Sequence, residues 1–356
     1  MTGRGIDQIL PHRCDPQLFE DYLRSALDYV ALAERAGGEV PRPARFDYIW
    51  GDALDELRHR RPDAWIVNLE TAITTRGKPE AKGIHYRMNP ANLPALTEAG
   101  IDCCALSNNH VLDWGPIGLI DTLDAVRKAG IRTAGAGRDL WEASQPASIE
   151  LSRFCRVLVF SVGVESSGIP AHWAARLDGP GVRLLPDLSE ETAKRLASQL
   201  LRHKKPGDIV ILSIHWGSNW GFKVEKAQKI FAHRLIDYGA SDIVHGHSSH
   251  HARPIEIYRQ RLILYGCGDC INDYEGIRDY DAYRADLVPI YLADVNEEQG
   301  TLAALRVVLF KLRGFRLATA PFRDVEWFKT VMNVHCLDFG TALALNADCS
   351  LSLVQL

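Results

Sequence analysis

Short unbroken apolar runs recur along the chain: Ala64-Trp65-Ile66-Val67, Ile101 to Leu106, Val157-Leu158-Val159-Phe160, Ile209-Val210-Ile211-Leu212, Ile243-Val244 and Leu262-Ile263-Leu264-Tyr265. Runs of this length without alternation fit strands buried on both faces. Between them lie helix-like segments. One covers Ile117 to Lys128 and is ended by Gly130. Another covers Glu190 to His203, opening after Ser189 with two acidic residues and closing in basic ones, as a helix dipole favours. An earlier helix is expected from about Pro16. Near the C-terminus, Leu287 to Val295 and Leu302 to Phe310 flank the polar turn Asn296-Glu297-Glu298-Gln299-Gly300 and read as a hairpin. The pattern predicts an α/β fold with added antiparallel strands. No repeat and no Pro/Gly/Ser-rich linker divides it, so one catalytic domain is expected over residues 1–310, followed by a C-terminal extension over 311–356.

Composition adds limits. With 46% hydrophobic and 24% charged residues, the chain lies in the ordinary globular range. Lys+Arg 41 against Asp+Glu 45 gives a net charge of −4 with no long block of either sign, which argues against a nucleic-acid partner. Met1 to Asp7 hold Arg4 and Asp7 and no apolar run; neither a signal peptide nor an integral membrane segment is visible, and a cytoplasmic location is expected. The eight cysteines then read as reduced thiols. Cys103-Cys104, inside an apolar run, are expected to be buried. Cys267 and Cys270 have the spacing of a redox pair or half a zinc knuckle, but no second pair matches them.

The chemistry gathers where the strands end. In α/β sheets ligands collect past the carboxyl ends of the strands. Asn68-Leu69-Glu70 follows the first run, and Ser107-Asn108-Asn109-His110-Val111-Leu112-Asp113 follows the second. His215-Trp216-Gly217 and His245-Gly246-His247-Ser248-Ser249-His250-His251 follow two later ones. A single histidine at such a place is usually structural, yet four exits with the same bias point to one or two divalent metal ions. Gly246 allows a tight path that could turn His247 and His250 toward one point. Nitrogen and oxygen donors without thiolates suit manganese, iron or zinc.

In order along the chain, Asn68-Leu69-Glu70, Asn108-Asn109-His110 with Asp113, His215-Trp216-Gly217, Gly246-His247-Ser248-Ser249-His250 followed by Pro254-Ile255-Glu256, and Tyr265-Gly266-Cys267-Gly268-Asp269 resemble the motifs of the poly-gamma-glutamate capsule-biosynthesis (CapA) family, to about Val308. That family belongs to the calcineurin-like metallophosphoesterase superfamily. The resemblance implies a four-layer α/β/β/α sandwich with a two-metal centre. It further implies Glu70, Asn109, His215, His247 and His250 as metal ligands, and His110, oriented by Asp113, as the acid or charge stabiliser.

One departure stands out. Family members begin with an apolar strand ending in Gly-Asp, whose aspartate is a metal ligand, followed by an arginine. Here Met1-Thr2-Gly3-Arg4 resembles only the tail of that motif, so the first N-terminal strand is expected to be absent and one metal site incomplete. Asp52 reads as a helix cap, not a replacement ligand. Arg4 is the candidate for binding a substrate anion. Trp216, Trp220 and Phe222 are candidates to line or cover the site. The readings to weigh are a metal-dependent phosphoesterase-type hydrolase acting on a small or polymeric anionic substrate, an accessory member of a capsule-synthesis complex with a vestigial metal site, and a purely structural α/β binding protein.

Overall fold

Along adjacent strands, alternate apolar side chains go to opposite cores, and this alternation sets the layers. The structure is a computed structural model describing residues 1–153, 155–277 and 280–356. Its largest sheet has seven strands. Leu184–Leu185, Arg156–Val164, Ile209–His215, Ile243–His247 and Arg261–Leu264 lie side by side in parallel, Ile255–Tyr258 runs antiparallel on the last, and Ala147–Glu150 runs antiparallel on Arg156–Val164. Leu158, Phe160, Leu212 and Ile214 point to one side, onto Leu196 and Leu200 of the helix Glu190–Leu201 and Phe231 and Leu235 of the helix Lys226–Asp237. Val157, Val159, Ile209 and Ile211 point to the other, into a core shared with Leu305, Val307 and Leu309.

The facing layer has two pieces. A parallel sheet joins Ile66–Asn68, Cys103–Ala105 and Arg132–Ala134. An antiparallel five-stranded sheet joins Leu287–Val295, Leu302–Arg313, Leu351–Gln355 and Thr341–Leu345, with Arg316–Thr319 also paired to the second of these. Its far side is closed by Leu119 and Leu123 of the helix Gly115–Lys128, Leu54 and Leu57 of the helix Asp52–Arg60, and Ile6 and Val30. The result is a mixed α/β protein with helix, sheet, sheet and helix in succession, as expected. Cys103 faces one core and Cys104 the other; both are free and fully buried, and burial raises both thiol pKa values, that of Cys103 to about 12.

Three expectations are corrected. The early helix begins at Ala26, where Ser25 and Asp28 form a capping box. Residues 16–25 fold back on themselves instead, with the Leu18 and Ala26 amides donating to the Arg24 and Pro16 carbonyls, and a short buried helix, Gly5–Ile9, precedes them. Asp52 is the first residue of its helix and Gly51 the cap; the Asp52 carboxylate accepts from Arg316 at 2.8 Å and from the Thr319 amide at 2.9 Å, which ties the helix to a strand. The boundary drawn at residue 310 falls inside the Leu302–Arg313 strand. The residues after it are no appendage, because Val325, Phe328, Leu343 and Leu351 fill the core between the sheets.

Candidate functional site

Register brings the histidines together. His215 and His247 are the last residues of neighbouring parallel strands and sit directly opposite one another, as do Ser213 and His245 one step earlier. Side chains two apart on a strand share a face, so all four stand in one patch. His215 Nδ1 lies 2.7 Å from His247 Nδ1, and Ser213 Oγ lies 2.9 Å from His247 Nε2 and 3.0 Å from His245 Nδ1.

The facing layer supplies the oxygens. Asn109 Oδ1 is 3.2 Å from His215 Nε2, and Glu70 Oε1 is 3.9 Å from both His215 Nε2 and His110 Nε2. Asn68 donates to Glu70 Oε2 at 2.9 Å, while Asn108 bridges Asn68 and the Leu69 carbonyl and accepts from the His110 and Val111 amides. This polar scaffold fixes both strand exits. Asp113 Oδ2 is 2.7 Å from His110 Nδ1 and accepts from the Tyr86 amide at 2.7 Å, so the structure brings Asp113 and His110 into contact. A donor Nδ1–H toward Asp113 leaves His110 Nε2 facing Glu70.

His250 arrives from the loop after His247, and its Nδ1 is held by Asp269 at 3.1 and 3.2 Å. Burial raises the Glu70 pKa. Burial draws His250 down, but the charge and hydrogen bond of Asp269, with Glu70, outweigh it and leave His250 above the usual imidazole range. Burial holds His215 and His247 well below that range, and burial followed by Lys82 does the same to His110. Asp113 is pushed up to about 6 by burial.

The donor set suits a divalent cation in kind: neutral imidazoles with available lone pairs, an amide oxygen and a carboxylate, all in a buried cleft. Among the described residues, however, no group of three or more His, Cys, Asp or Glu side chains stands in metal-holding geometry. The side chains pair with each other instead, His215 with His247 and His250 with Asp269. Glu70 Oε1 and Asn109 Oδ1 both lie within 4 Å of His215 Nε2.

Two residues in contact with the site carried no assigned role in the sequence. Lys82 pairs with Asp113 Oδ1 at 2.7 Å, lies 3.3 Å from His110 Nδ1, donates to the Asn109 carbonyl and sits over the Trp173 ring. It comes from a polar loop without periodicity, which offered no signal. Asp269 stood inside a recognised motif; its partner became visible only in three dimensions. The aromatic expectations divide. Trp220 borders His250 with ring centroids 5.4 Å apart and stacks on Tyr280, and Phe222 stacks on His335. Trp216 is buried in the core under the helices, donating to the Tyr265 carbonyl, and does not line the cleft. Cys267 and Cys270 are free thiols whose pKa values burial raises, that of Cys270 to about 12.

Arg4 is placed otherwise than expected. Its guanidinium bonds to both oxygens of Asp273, to Glu20 at 2.9 Å and to Tyr29 at 2.7 Å, lies over the Tyr29 and Tyr86 rings, and has a side chain 1% exposed. Four of its donors are taken internally, and a substrate anion would have to displace them.

Layered sheets with this cleft at the strand ends make a mixed α/β protein of several sheets, consistent with a CapA or metallophosphoesterase-like fold. Residues 1–274 match the family described as "Bacterial capsule synthesis protein PGA_cap", and the chain belongs to that family. It is 46% identical over 356 residues to a "Probable polyglutamine synthesis accessory protein" of Mycobacterium tuberculosis, covering 99% of this chain and 93% of that protein. It is 30% identical over 226 residues to "PGA biosynthesis protein CapA" of Bacillus subtilis, covering 63% of this chain and 57% of that protein. It is 27% identical over 252 residues to "Capsule biosynthesis protein CapA" of Bacillus anthracis, covering 67% and 58%. Among the described residues no helix is long and apolar enough to cross a membrane.

Proposed function

We propose that this chain is a divalent-metal-dependent hydrolase of the phosphoesterase type that serves capsule or polyglutamate synthesis, acting on a small or polymeric anionic substrate. The observation that supports this reading best is the His110–Asp113 pair directed at the same point as Glu70, Asn109 and His215. Manganese, iron or zinc, when bound, supplies Lewis acidity toward water and a substrate oxygen. Glu70, Asn109, His215 and His247 would hold one ion, and His250 with Glu70 a second, less complete site. Asp113 keeps the His110 ring fixed, and Lys82 keeps Asp113 in place. Burial and then Lys82 hold the His110 pKa down; an arriving anion would offset the field of Lys82, so that Nε2 could take up a proton from solvent and pass it to the leaving group.

A second reading, a non-catalytic member of a synthesis complex, is favoured by the "accessory protein" name of the Mycobacterium relative and by the mutual pairing of the donor side chains. Purification without chelator, metal analysis and turnover of a generic phosphate monoester with added Mn2+ separate the two. Bound metal with turnover supports the hydrolase; bound metal without turnover on mono- and diesters supports the accessory role. His110→Ala is expected to lower turnover by about 10²- to 10⁴-fold while leaving metal content unchanged, because proton transfer and metal capture are separate tasks. Loss of metal in that variant would contradict the assignment.

Metal uptake should depend on pH in a definite direction. Glu70 and His250 both hold their protons to higher pH than usual, and both must lose them to ligate. Mn2+ affinity is therefore expected to rise at least about tenfold between roughly pH 5.5 and pH 8, with proton release on binding measurable by titration calorimetry in two buffers. The same raised values have the opposite effect on the metal-free fold. Stability from these two groups is complete below their unfolded values and is lost as pH rises through their folded ones.

A further inference from the structure

Two arginines are buried among the described residues, in opposite surroundings. Arg4 faces two carboxylates, whereas Arg253, 2% exposed, has no ion pair among the described residues. Its Nη2 donates to the Ser218 carbonyl at 2.7 Å and to Ser218 Oγ at 3.0 Å, and its Nε has no partner. Gln228 is as deeply buried. Its Oε1 accepts from the Glu225 amide at 2.9 Å, which fixes the orientation of the side-chain amide and leaves Nε2, a donor, without an acceptor. The two groups converge: a β-carbon placed on Gly217 would meet Gln228 Nε2 at 2.9 Å and Arg253 Nη1 at 3.2 Å. Gly217 is half-buried and Ser218 beside it is exposed, so that point lies just beneath the surface.

We infer that Arg253, Gln228 and the first turn of the helix Lys226–Asp237 form a binding site for one oxyanion group, a carboxylate or a phosphate, at Gly217. A buried cation is costly unless an acceptor of opposite charge faces it, and unpaired amide donors add to the cost. An oxyanion answers both, since one of its oxygens can take Arg253 and a second Gln228. The helix start favours the same charge. Its first amides have no partner within the helix, its dipole is positive there, and its first turn carries Lys226 and no acid. Glu225, the carboxylate whose field reaches Arg253, is already engaged: it accepts the Gln228 backbone amide as the helix cap and lies 3.0 Å from Lys223. A neutral ligand would satisfy the donors and leave the charge of Arg253 uncompensated. The helix follows the Ile209–His215 strand, so the site stands at the sheet edge that carries the cleft, just past His215.

The inference stands whether or not the cleft hydrolyses anything, and its test does not use turnover. The full chain, dialysed against chelator, is titrated with inorganic phosphate and separately with acetate at constant ionic strength, and hydrogen–deuterium exchange is followed. Saturable binding of at least one of the two should slow exchange of the amides in 217–228 by about tenfold at ten times the half-saturating concentration, and leave the helix Gly115–Lys128 unchanged. Protection by phosphate alone assigns the site to phosphate groups, by acetate alone to carboxylates, and by both to either. Arg253→Met should abolish the protection. Gln228→Glu keeps the cap on the Glu225 amide and sets a carboxylate beside Arg253 in the place of the ligand, so it should lose the protection and unfold at least about 2 °C above the parent chain in chloride buffer. No protection by either anion, equal protection of Gly115–Lys128, protection retained in either variant, or a Gln228→Glu chain that unfolds no higher than the parent would each overturn the proposal.

Discussion

His215→Ala should weaken divalent-metal binding at the proposed site by at least about 100-fold and bring any metal-dependent hydrolysis to background. His215 is in contact with donors from both layers: its Nε2 faces Asn109 Oδ1 and Glu70 Oε1, while its Nδ1 reaches His247 across the register. Loss of an outer partner of a ligand typically costs 10- to 100-fold in metal affinity, so loss of a direct ligand should cost at least about 100-fold. His245 provides the contrast. It lies on the same face one register step back, bonded to Ser213, which in turn touches His247. His245→Ala should therefore cost no more than about tenfold. Titration calorimetry with Mn2+ and metal analysis after dialysis measure both. Equal losses in the two variants, or no loss in His215→Ala, would remove the metal reading of the strand ends.

Arg4→Ala should destabilise the fold by roughly 3–5 kcal/mol, the usual result of breaking a buried ion pair and leaving uncompensated carboxylates behind. Asp273 and Glu20, the partners of Arg4, have side chains no more than 1% exposed, and Asp273 also accepts from the Gly5 amide. Arg4→Lys should recover little, since an ammonium cannot reproduce the two-point contact with Asp273. Urea unfolding at neutral pH gives the comparison. A change below about 1 kcal/mol together with a raised KM would instead restore Arg4 as a substrate contact.

Several features of this protein follow from local sequence. Runs such as Val157 to Phe160 and Ile209 to Leu212 form strands because their residues fill cores on both faces, and no other short element makes that demand. Helix limits at Lys128 and Glu190 are local matters of dipole and capping and came out within a few residues. Family motifs at the strand exits named Glu70, Asn109, His110, Asp113, His215, His247 and His250, because chemistry of this kind needs particular residue types at loops that follow buried strands. The fold-back at 16–25 has no distinct local signal, because a proline with polar neighbours is as compatible with a turn as with a helix start.

The tertiary structure decided the rest, through partners far apart in the chain. Arg4 owes its structural role to Asp273, 269 residues away, and burial of both converts a surface-type residue into an anchor. His250 is turned by Asp269 and His110 is flanked by Lys82, contacts that no spacing rule encodes because the four residues lie in loops that follow different strands. Residues 311–356 read as an extension since their apolar positions look the same whether they cover a surface or fill a core; only sheet pairing with Leu302–Arg313 shows that they fill one. Strand register is the deepest of these decisions. It sets His215 opposite His247, since hydrogen bonds between strands fix which residues become neighbours, and a shift of one residue would turn that row of histidines to the other face.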